Sequence, residues 1–407
     1  MGSARRQLWG GIAALLLAAF AVAGTAAARP PGASEEPATR YVARLRAGGN
    51  AAAFEGMVRS IGGRTTGEIP ALRLVEVEIG PEWASLARAH PAVAWIHPEG
   101  TLHVSAARPN DPLFNRQWPL RTMDAVRGWE IEDGRKTSVI VAVIDSGIDP
   151  SHPDLQNRMT TGFDFVNLDG DPVDDHGHGT HVAGIIAAAP NNRRGIAGIS
   201  WGASLMPLKA CDFTGACGSF EVAAAIAHAA GSGAKVVNIS LGADLGGCPS
   251  ELQLAGALAN ASGVVLVASA GNSAQQGNPR MYPAGCDGYV GVGATTPQDT
   301  WAPFSEHNDD VDVSAPGVGI YSTIPPGLGG MEDYPTTPGY GPASETSMAA
   351  PHVAGLAALL FAQHPEWAPA DVERRLEESA VDLGKPGRDE YFGAGRISIA
   401  RALGAGR

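Results

Sequence analysis

The feature that most constrains the fold is an alternation of short apolar runs with longer stretches of helical periodicity, which begins near residue 139. The apolar runs lie at 139–144, 205–209, 235–239 and 264–269. Continuous apolar strands that alternate with helices are typical of a mostly parallel sheet with helices on both faces. In such sheets the functional side chains lie at the carboxyl ends of the strands. The sequence therefore predicts an α/β fold with its chemistry at those ends.

The segment before this alternation has its own pattern, which predicts a small α+β domain over about 40–104. Its predicted elements follow the order β-α-β-α-β, at 41–45, 51–61, 72–78, 82–89 and 93–96. A unit of about 65 residues is near the lower limit for independent stability. Linkers flank it, so we predict that residues 29–107 contain this domain and that 108–407 form the main domain.

Residues 1–28 have the pattern of an export signal. Arg5 and Arg6 supply positive charge, 11–23 is apolar, and small residues at 25–28 suit cleavage. An uncleaved membrane anchor is the alternative, for which the apolar core is short. No later segment approaches the roughly 18 uninterrupted apolar residues of a membrane span. We therefore predict a secreted protein, extracellular or periplasmic, without membrane association once the signal is removed.

The charge and the cysteine content limit which binding partners and which cellular compartment are expected. The chain has 42 acidic and 29 basic residues and a formal net charge of −13. Because an acidic chain repels phosphate backbones, nucleic acid is not an expected partner. Four cysteines, at Cys211, Cys217, Cys248 and Cys286, fit an exported protein and allow three pairings, between which the sequence cannot choose. None has the C-x-x-C spacing of a zinc or redox motif.

Two motifs place an acid and a base at the ends of predicted elements. Asp145 lies in VIDSGID at 143–149, where a buried carboxylate needs a partner such as a histidine N–H. His178 lies in HGHGTHVAG at 176–184, which opens a helix and suits a general base. Zinc is the alternative, but His178 and His181 enclose Gly and Thr and lack the H-E-x-x-H spacing. A base is therefore the favoured interpretation of His178.

Two further motifs supply a nucleophile and a hydrogen-bond donor. Ser347, in ETSMAAPHVAG at 345–355, starts an apolar helix whose dipole favours negative charge. Pro351 is expected in the first turn of that helix. Asn272 follows the apolar run at 264–269, where its amide can donate to an oxyanion. Singly these are an N-cap serine and a turn. With Asp145 and His178 they give the chain order Asp…His…Ser, one of three unrelated triad orders.

Taken together, the motifs resemble the subtilase family of serine peptidases. The matching segments are VIDSGID (143–149), HGTHVAG (178–184), VVNISLG (236–242), ASAGNS (268–273) and TSMAAPHVAG (346–355). The pattern is most similar to that of thermitase-like secreted subtilisins. The resemblance implies a subtilisin-like fold and a secreted serine endopeptidase that hydrolyses peptide bonds through an acyl-enzyme.

The resemblance also implies a role for each matching residue. Ser347 is the expected nucleophile, His178 the base, Asp145 the residue that orients it, and Asn272 the oxyanion donor. The expected substrate-binding residues are Ser240, Leu241, Gly242, Ser269, Ala270 and Gly271. Glu345 departs from the family, which usually has glycine two residues before the nucleophile. We predict that the backbone there suits any residue and that activity survives.

Two groups of oxygen-bearing residues resemble calcium sites of the family. One is expected to comprise Asp111, Asp154 and Asn192, with nearby backbone carbonyls. The other, in the loop DFVNLDGD at 164–171, comprises Asp164, Asn167, Asp169 and Asp171. A polar surface loop is the alternative for the second group. The resemblance thus predicts structural Ca²⁺ as the cofactor.

The same resemblance makes residues 29–107 an inhibitory propeptide, which the enzyme cuts off itself and whose tail near 103–107 lies in the cleft as a strand. A permanent accessory domain is the alternative. The expected partners are protein or peptide substrates and the chain's own propeptide, and the enzyme is expected to be a monomer. Two other functions stay open. One is a binding protein on a catalytically impaired subtilase scaffold, favoured only by Glu345, and the other is a metal-dependent hydrolase built on the histidines.

Overall fold

The computed structural model describes residues 38–100, 108–325 and 337–405, and the chain divides into two units, Met1–Val104 and Ser105–Arg407. The predicted signal peptide at 1–28 and the predicted propeptide tail near 103–107 lie outside the described residues. Among the helices in the described ranges, none is both long and apolar enough to cross a membrane.

The first unit is a four-stranded antiparallel sheet with two helices. Its elements are β1 (Thr39–Leu45), α1 (Ala51–Ser60), β2 (Arg64–Ile69), β3 (Leu74–Ile79), α2 (Ala84–Ala89) and β4 (Val93–Pro98), and the strand order is β2-β3-β1-β4. The sequence prediction missed β2, so the true order is β-α-β-β-α-β rather than β-α-β-α-β. Strand β2 is an edge strand of mostly exposed, polar residues, and it lacks the apolar alternation that marks its neighbours.

The second unit is built on a seven-stranded sheet of order β11-β10-β9-β8-β5-β7-β6, in which each pair of neighbours is parallel. Its strands are β5 (Ile140–Asp145), β6 (Phe163–Asp164), β7 (Ser204–Lys209), β8 (Val236–Ile239), β9 (Val265–Ser269), β10 (Tyr289–Thr295) and β11 (Val313–Pro316). The predicted mostly parallel α/β sheet is confirmed, with four strands found from the sequence. Strand β6 has only two residues and β10 contains two glycines, which weaken a strand signal.

Helices cover both faces of this sheet, as predicted. Helices α5 (His178–Ala187) and α8 (Thr346–Gln363) pack on one face, and α6 (Ser219–Gly231) and α7 (Ser250–Ala261) pack on the other. Val141 and Val143 of β5 belong to the first core, whereas Ala142 and Ile144 belong to the second. Because both faces of these strands are buried, their sequences are continuous apolar runs. The other α-helices and β-strands of this unit are α3 (Trp118–Thr122), α4 (Ala125–Trp129), β12 (Ile320–Thr323), β13 (Tyr340–Ala343), α9 (Pro369–Glu378) and α10 (Ile399–Ala402).

Two disulfides select one of the three pairings that the sequence allowed. They join Cys211 to Cys217 and Cys248 to Cys286. The first closes a loop that follows β7, where the N–H groups of Ala210 and Cys211 donate to the backbone oxygen of Asp145 at 2.9 and 3.2 Å. This disulfide therefore lies beside the end of β5, where the predicted chemistry begins.

Candidate active site

Strand β5 ends in Asp145, whose carboxylate is buried at the carboxyl edge of the sheet. Its Oδ1 accepts hydrogen bonds from His178 Nδ1 and from the Ser146 N–H, both at 2.7 Å, whereas its Oδ2 has no hydrogen-bond partner. Gly179 packs so closely here that an added Cβ would clash with the backbone oxygen of Gly147. The partner that the sequence predicted for this buried acid is therefore present, and His178 Nε2 is left for other contacts.

Helix α5 begins at His178, and a buried acid that the sequence analysis did not single out holds its first turn. Asp174 Oδ1 accepts from the N–H groups of His176 and Gly177 at 3.0 and 2.8 Å, and its Oδ2 accepts from the Thr180 N–H at 2.9 Å. An acid at a helix N-terminus satisfies unpaired N–H groups and complements the dipole. Asp174 thus fixes the backbone from which His178 projects.

The imidazole of His178 lies between two carboxylates. Asp145 bonds to Nδ1, and Glu345 Oε2 is 3.9 Å from Nε2. The side chain of Asp145 is 3% exposed and that of Glu345 is 47% exposed. Burial lowers the pKa of His178, but the charge and hydrogen bond of Asp145, followed by the charges of Glu345 and Asp174, raise it to about 9. The neighbouring carboxylates therefore favour the protonated form of the ring.

Ser347 is the second residue of α8, which is buried along all but its last residue. Because the helix begins at Thr346, Pro351 lies in its second turn, and the expectation of a first-turn position was wrong. A proline has no N–H for the carbonyl four residues earlier, which here is that of Ser347. The Ser240 hydroxyl donates to this carbonyl oxygen instead, at 2.8 Å. The predicted nucleophile is thus tied to the predicted substrate-binding segment through its backbone.

The predicted acid and base are hydrogen-bonded to each other, whereas the predicted nucleophile is not hydrogen-bonded to the base. Within the described ranges no hydrogen bond links Ser347 Oγ to His178 Nε2, and the contact of Nε2 is to Glu345. The serine–histidine bond of such sites is often long without substrate and tightens when substrate binds. The backbone of Glu345 is extended, with φ −161° and ψ 165°, which any residue adopts. The predicted tolerance of this backbone for a residue other than glycine is therefore confirmed.

Asn272 lies in the loop after β9 and faces the start of α8. Its Oδ1 accepts from the Thr346 N–H at 2.8 Å and from the Thr346 hydroxyl at 2.9 Å. The same hydroxyl accepts from the N–H of Gly271, whose φ of +111° favours glycine. These bonds fix the amide and leave its Nδ2 as the group that can donate. That donor belongs to a loop bonded to the residue next to Ser347.

Glu306 lies behind this loop, in a segment that carries no motif from which its position could be predicted. The side chain is fully buried. Its Oε1 accepts from the Ser273 N–H at 2.7 Å, and its own N–H donates to the Gly271 oxygen at 3.1 Å, so it holds both neighbours of Asn272. Burial raises the pKa of Glu306 to about 7, against the hydrogen bonds from the N–H groups of Ser273 and Glu306. Its Oε2 has no hydrogen-bond partner.

The two predicted substrate-binding segments follow neighbouring strands. Residues Ser240, Leu241 and Gly242 follow β8, and Ser269, Ala270 and Gly271 form the end of β9 and the turn after it. The strands pair with Ile239 opposite Ala268, which brings the segments side by side. A Cβ added at Gly242 would lie 3.8 Å from Met281 Cβ, and one added at Gly271 would lie 2.5 Å from Met281 Cγ. Met281 therefore lies against both segments, and no sequence motif marks it.

The three histidines of the HGHGTH motif do not share a partner. His178 bonds to Asp145, whereas His181 Nε2 lies 3.1 Å from the Gly341 oxygen and burial lowers the pKa of His181 to about 3. The His176 ring centroid is 6.4 Å from that of His178. In the part of the chain that the structure describes, no cluster of three or more His, Cys, Asp or Glu is arranged to hold a metal ion. The geometry favours a base over a metal ligand at His178.

The first predicted calcium group comes together in the structure. Asp111 and Asp154 are buried, and Asn192 lies between them. Its N–H donates to Asp111 Oδ1 at 3.1 Å, and its Nδ2 donates to Asp154 Oδ1 at 2.7 Å. Burial raises the pKa of Asp111, and the charge of Asp154 adds to this effect, against three backbone hydrogen bonds. Two like charges buried side by side are an arrangement that a bound cation relieves.

The second predicted calcium group is bonded within its own loop. Asp164 is buried, and its carboxylate accepts from the N–H groups of Val166 and Asn167 and from Asn167 Nδ2, at 2.7 to 2.9 Å. Asp169 Oδ1 accepts from the N–H of Asp171, which is exposed. The donors present satisfy Asp164 without a cation. Calcium in this loop stays a prediction.

A parallel α/β sheet with an Asp–His pair and a helix-start serine, in the chain order Asp, His, Ser, is the arrangement of one class of serine peptidase. The subtilase family model matches residues 136–395, and the chain belongs to this family. Thermitase from Thermoactinomyces vulgaris is 38% identical over 297 residues, which cover 72% of this chain and 99% of thermitase. The chain is therefore a subtilisin-like serine peptidase.

Solved structures agree with this assignment. A protease from Pseudoalteromonas arctica PAMC 21717 has a TM-score of 0.65 and 30% identity, and covers 73% of this chain and 99% of its own. Fervidolysin from Fervidobacterium pennivorans, described as a keratinolytic enzyme related to subtilisin, has a TM-score of 0.65 and 28% identity. That match covers 90% of this chain and 61% of fervidolysin.

Proposed function

We propose that this chain is a secreted serine endopeptidase, made as a self-processing precursor, with Asp145, His178 and Ser347 as its triad. The observation that carries the proposal is the 2.7 Å bond between His178 Nδ1 and the buried Asp145, in a subtilase with a serine at the start of α8. With its proton held on Nδ1, the neutral imidazole has its lone pair on Nε2, which can accept the serine proton.

The proposed reaction has two halves. Ser347 Oγ attacks the scissile carbonyl carbon while His178 Nε2 takes the hydroxyl proton, and Asn272 Nδ2 and the Ser347 N–H donate to the oxyanion that forms. The C–N bond then breaks, the leaving amine takes the proton from Nε2, and an ester remains on Ser347. Water attacks this ester by the same steps in the second half, which releases the acid and restores the serine hydroxyl.

Protein or peptide substrates are proposed to bind as an added strand along residues 240–242. The side chain before the scissile bond then lies between this segment and residues 269–271. Met281 lies against both segments, and its thioether side chain gives an apolar, adaptable contact. We therefore propose a broad preference for apolar residues before the scissile bond.

We further propose that residues 1–28 direct export, that 29–107 are an inhibitory propeptide, and that 108–407 are the peptidase, which acts as a monomer. The first unit has its own sheet and its own apolar core, which suits a separate folding body. The similarity to fervidolysin covers 90% of this chain, more than the second unit makes up, so it extends into the first.

We propose that Asp111, Asp154 and Asn192, with neighbouring carbonyls, hold a structural Ca²⁺. Asp111 and Asp154 are two buried carboxylates at this place, and a bound Ca²⁺ would supply the positive charge that offsets them. EDTA is expected to lower the Tm by about 5–10 °C. Asp154→Asn is expected to remove most of that response, and a Tm that EDTA leaves unchanged would contradict the site.

Mass spectrometry of the purified full chain tests the function. Wild type and Ser347→Ala are incubated with calcium, with and without phenylmethylsulfonyl fluoride. We expect wild type to lose a segment of about one small domain and to be labelled at Ser347, while Ser347→Ala stays whole. If wild type is neither cut nor labelled, the site is silent and the alternative of a binding protein on a subtilase scaffold is favoured.

A further inference from the structure

Glu345 occupies a position that the proposed mechanism leaves unused. It is the last residue before α8, and its N–H donates to the Gly317 oxygen at 2.9 Å, which anchors the backbone in its extended form. Its side chain is 47% exposed and its Oε2 is 3.9 Å from His178 Nε2. The carboxylate therefore lies on the solvent side of the imidazole nitrogen that Asp145 does not use.

Other charged and titratable groups surround the ring, and they differ from Glu345 in burial. Asp145 and Asp174 are buried and bonded within the protein. His181 is buried, and burial keeps the pKa of His181 low enough for it to be neutral. The His176 ring lies at 6.4 Å between centroids. Glu345 is thus an acid beside this ring that water, and any bound substrate, can reach.

The proposed reaction indicates which part of the substrate lies beside the Glu345 carboxylate. His178 Nε2 gives its proton to the leaving amine, and that amine belongs to the residue after the scissile bond. The residue after the scissile bond therefore lies beside Nε2 at the moment of transfer. An exposed carboxylate 3.9 Å from the same nitrogen attracts a cationic side chain on that residue and repels an anionic one.

We propose that Glu345 is a specificity-determining residue of the reaction, which selects substrates with Lys or Arg immediately after the scissile bond. This inference rests on the proposed function. Because the pair is partly exposed to water, its expected effect is modest, about three- to fivefold in kcat/KM. A substrate cation that pairs with Glu345 also withdraws its negative charge from His178. The ring then loses its proton at a lower pH with a basic substrate than with a neutral one.

Peptides that differ only in the residue after the scissile bond, with Lys, Gln or Glu there, test the proposal. Cleavage of the same bond is verified by mass spectrometry, and rates are expressed per active site. For wild type we expect kcat/KM for Lys to exceed that for Gln by about three- to fivefold. Glu345→Asp should retain this preference, Glu345→Gln should erase it, and Glu345→Lys should favour the Glu peptide.

A matched control is available in a second histidine–glutamate contact. Glu366 Oε1 lies 3.6 Å from His364 Nδ1, and its side chain is 72% exposed. Glu366→Gln removes the same charge and should keep the wild-type preference. An equal preference in wild type and Glu345→Gln overturns the role of Glu345 while the protease function stands. If no peptide is cut and phenylmethylsulfonyl fluoride does not label Ser347, the proposed function and this inference both fail.

Discussion

The two regions that supply carboxylates to His178 differ in burial and in strength of contact. Asp145 ends a central strand, is 3% exposed and bonds to Nδ1 at 2.7 Å. Glu345 lies in the turn before α8, is 47% exposed and stays 3.9 Å from Nε2. A buried charged hydrogen bond is strong, whereas water and salt weaken an exposed contact. The first contact therefore fixes the orientation of the ring, whereas the second acts on its charge more weakly.

Loss of the buried contact between Asp145 and His178 should have the largest effect on activity. Asp145→Asn keeps the shape of the side chain but replaces an acceptor for His178 Nδ1 with an amide that can force the other tautomer. We expect kcat to fall about 10⁴-fold, with little change in circular dichroism. Peptide hydrolysis measures the first quantity. A fall of less than about tenfold in a folded variant would show that Asp145 does not orient the base.

Removal of the oxyanion donor should have the next largest effect. Asn272→Ala is expected to lower kcat about 10²- to 10³-fold with little change in KM, the size of effect known for the matching donor in subtilisin. Asn260 offers a matched control, because its Nδ2 donates to the Gly288 oxygen at 2.9 Å and it lies on α7. Asn260→Ala should leave kcat unchanged. Equal losses in both variants would mean that the effect is structural.

Glu306 is a further carboxylate near the site, as buried as Asp145 and, like it, with one oxygen that has no hydrogen-bond partner. The two acids differ in what they hold, because Asp145 accepts from the His178 ring and Glu306 accepts from the Ser273 N–H. Burial raises the pKa of Glu306 from 4.5 to about 7. Between these values the folded state keeps a proton that the unfolded state has lost, so the free energy of unfolding falls as pH rises. Glu306→Gln should remove this component while it keeps an acceptor for Ser273. Urea unfolding at about pH 5 and about pH 7.5 measures how far the free energy of unfolding falls between these pH values. An equal fall in wild type and in Glu306→Gln would contradict a buried, protonated Glu306.

Much of the fold could be predicted from the sequence, because burial on both faces leaves a plain apolar signal. Strands β5, β7, β8 and β9 lie in the middle of the sheet and carry that signal. Strand β2 is a polar edge strand, and its pairing depends on β3 rather than on its own residues. The disulfide pairing likewise depends on distance in space, which four isolated cysteines do not encode.

In the candidate site too, some residues could be predicted from sequence motifs and others are evident only from the folded structure. Asp145, His178, Asn272 and Ser347 lie in motifs, and the structure brings the first two into direct contact. Glu306 and Met281 carry no motif, because their roles depend on loops that meet the Asn272 segment only in the folded chain. The tolerance of the backbone at residue 345 could be predicted, but the contact of its side chain with His178 needs three dimensions.

The pH dependence of Ser347 sulfonylation by phenylmethylsulfonyl fluoride shows whether Asp145, His178 and Ser347 act as one triad. The reaction needs the serine and a neutral His178, and it needs no peptide substrate. For wild type the rate, followed by mass spectrometry, should rise with pH through one ionisation at about 9, because the pKa of His178 is raised to that value. Glu345→Gln should move that ionisation to lower pH. A rate that does not change between about pH 6 and pH 10, or labelling at a residue other than Ser347, would contradict the triad.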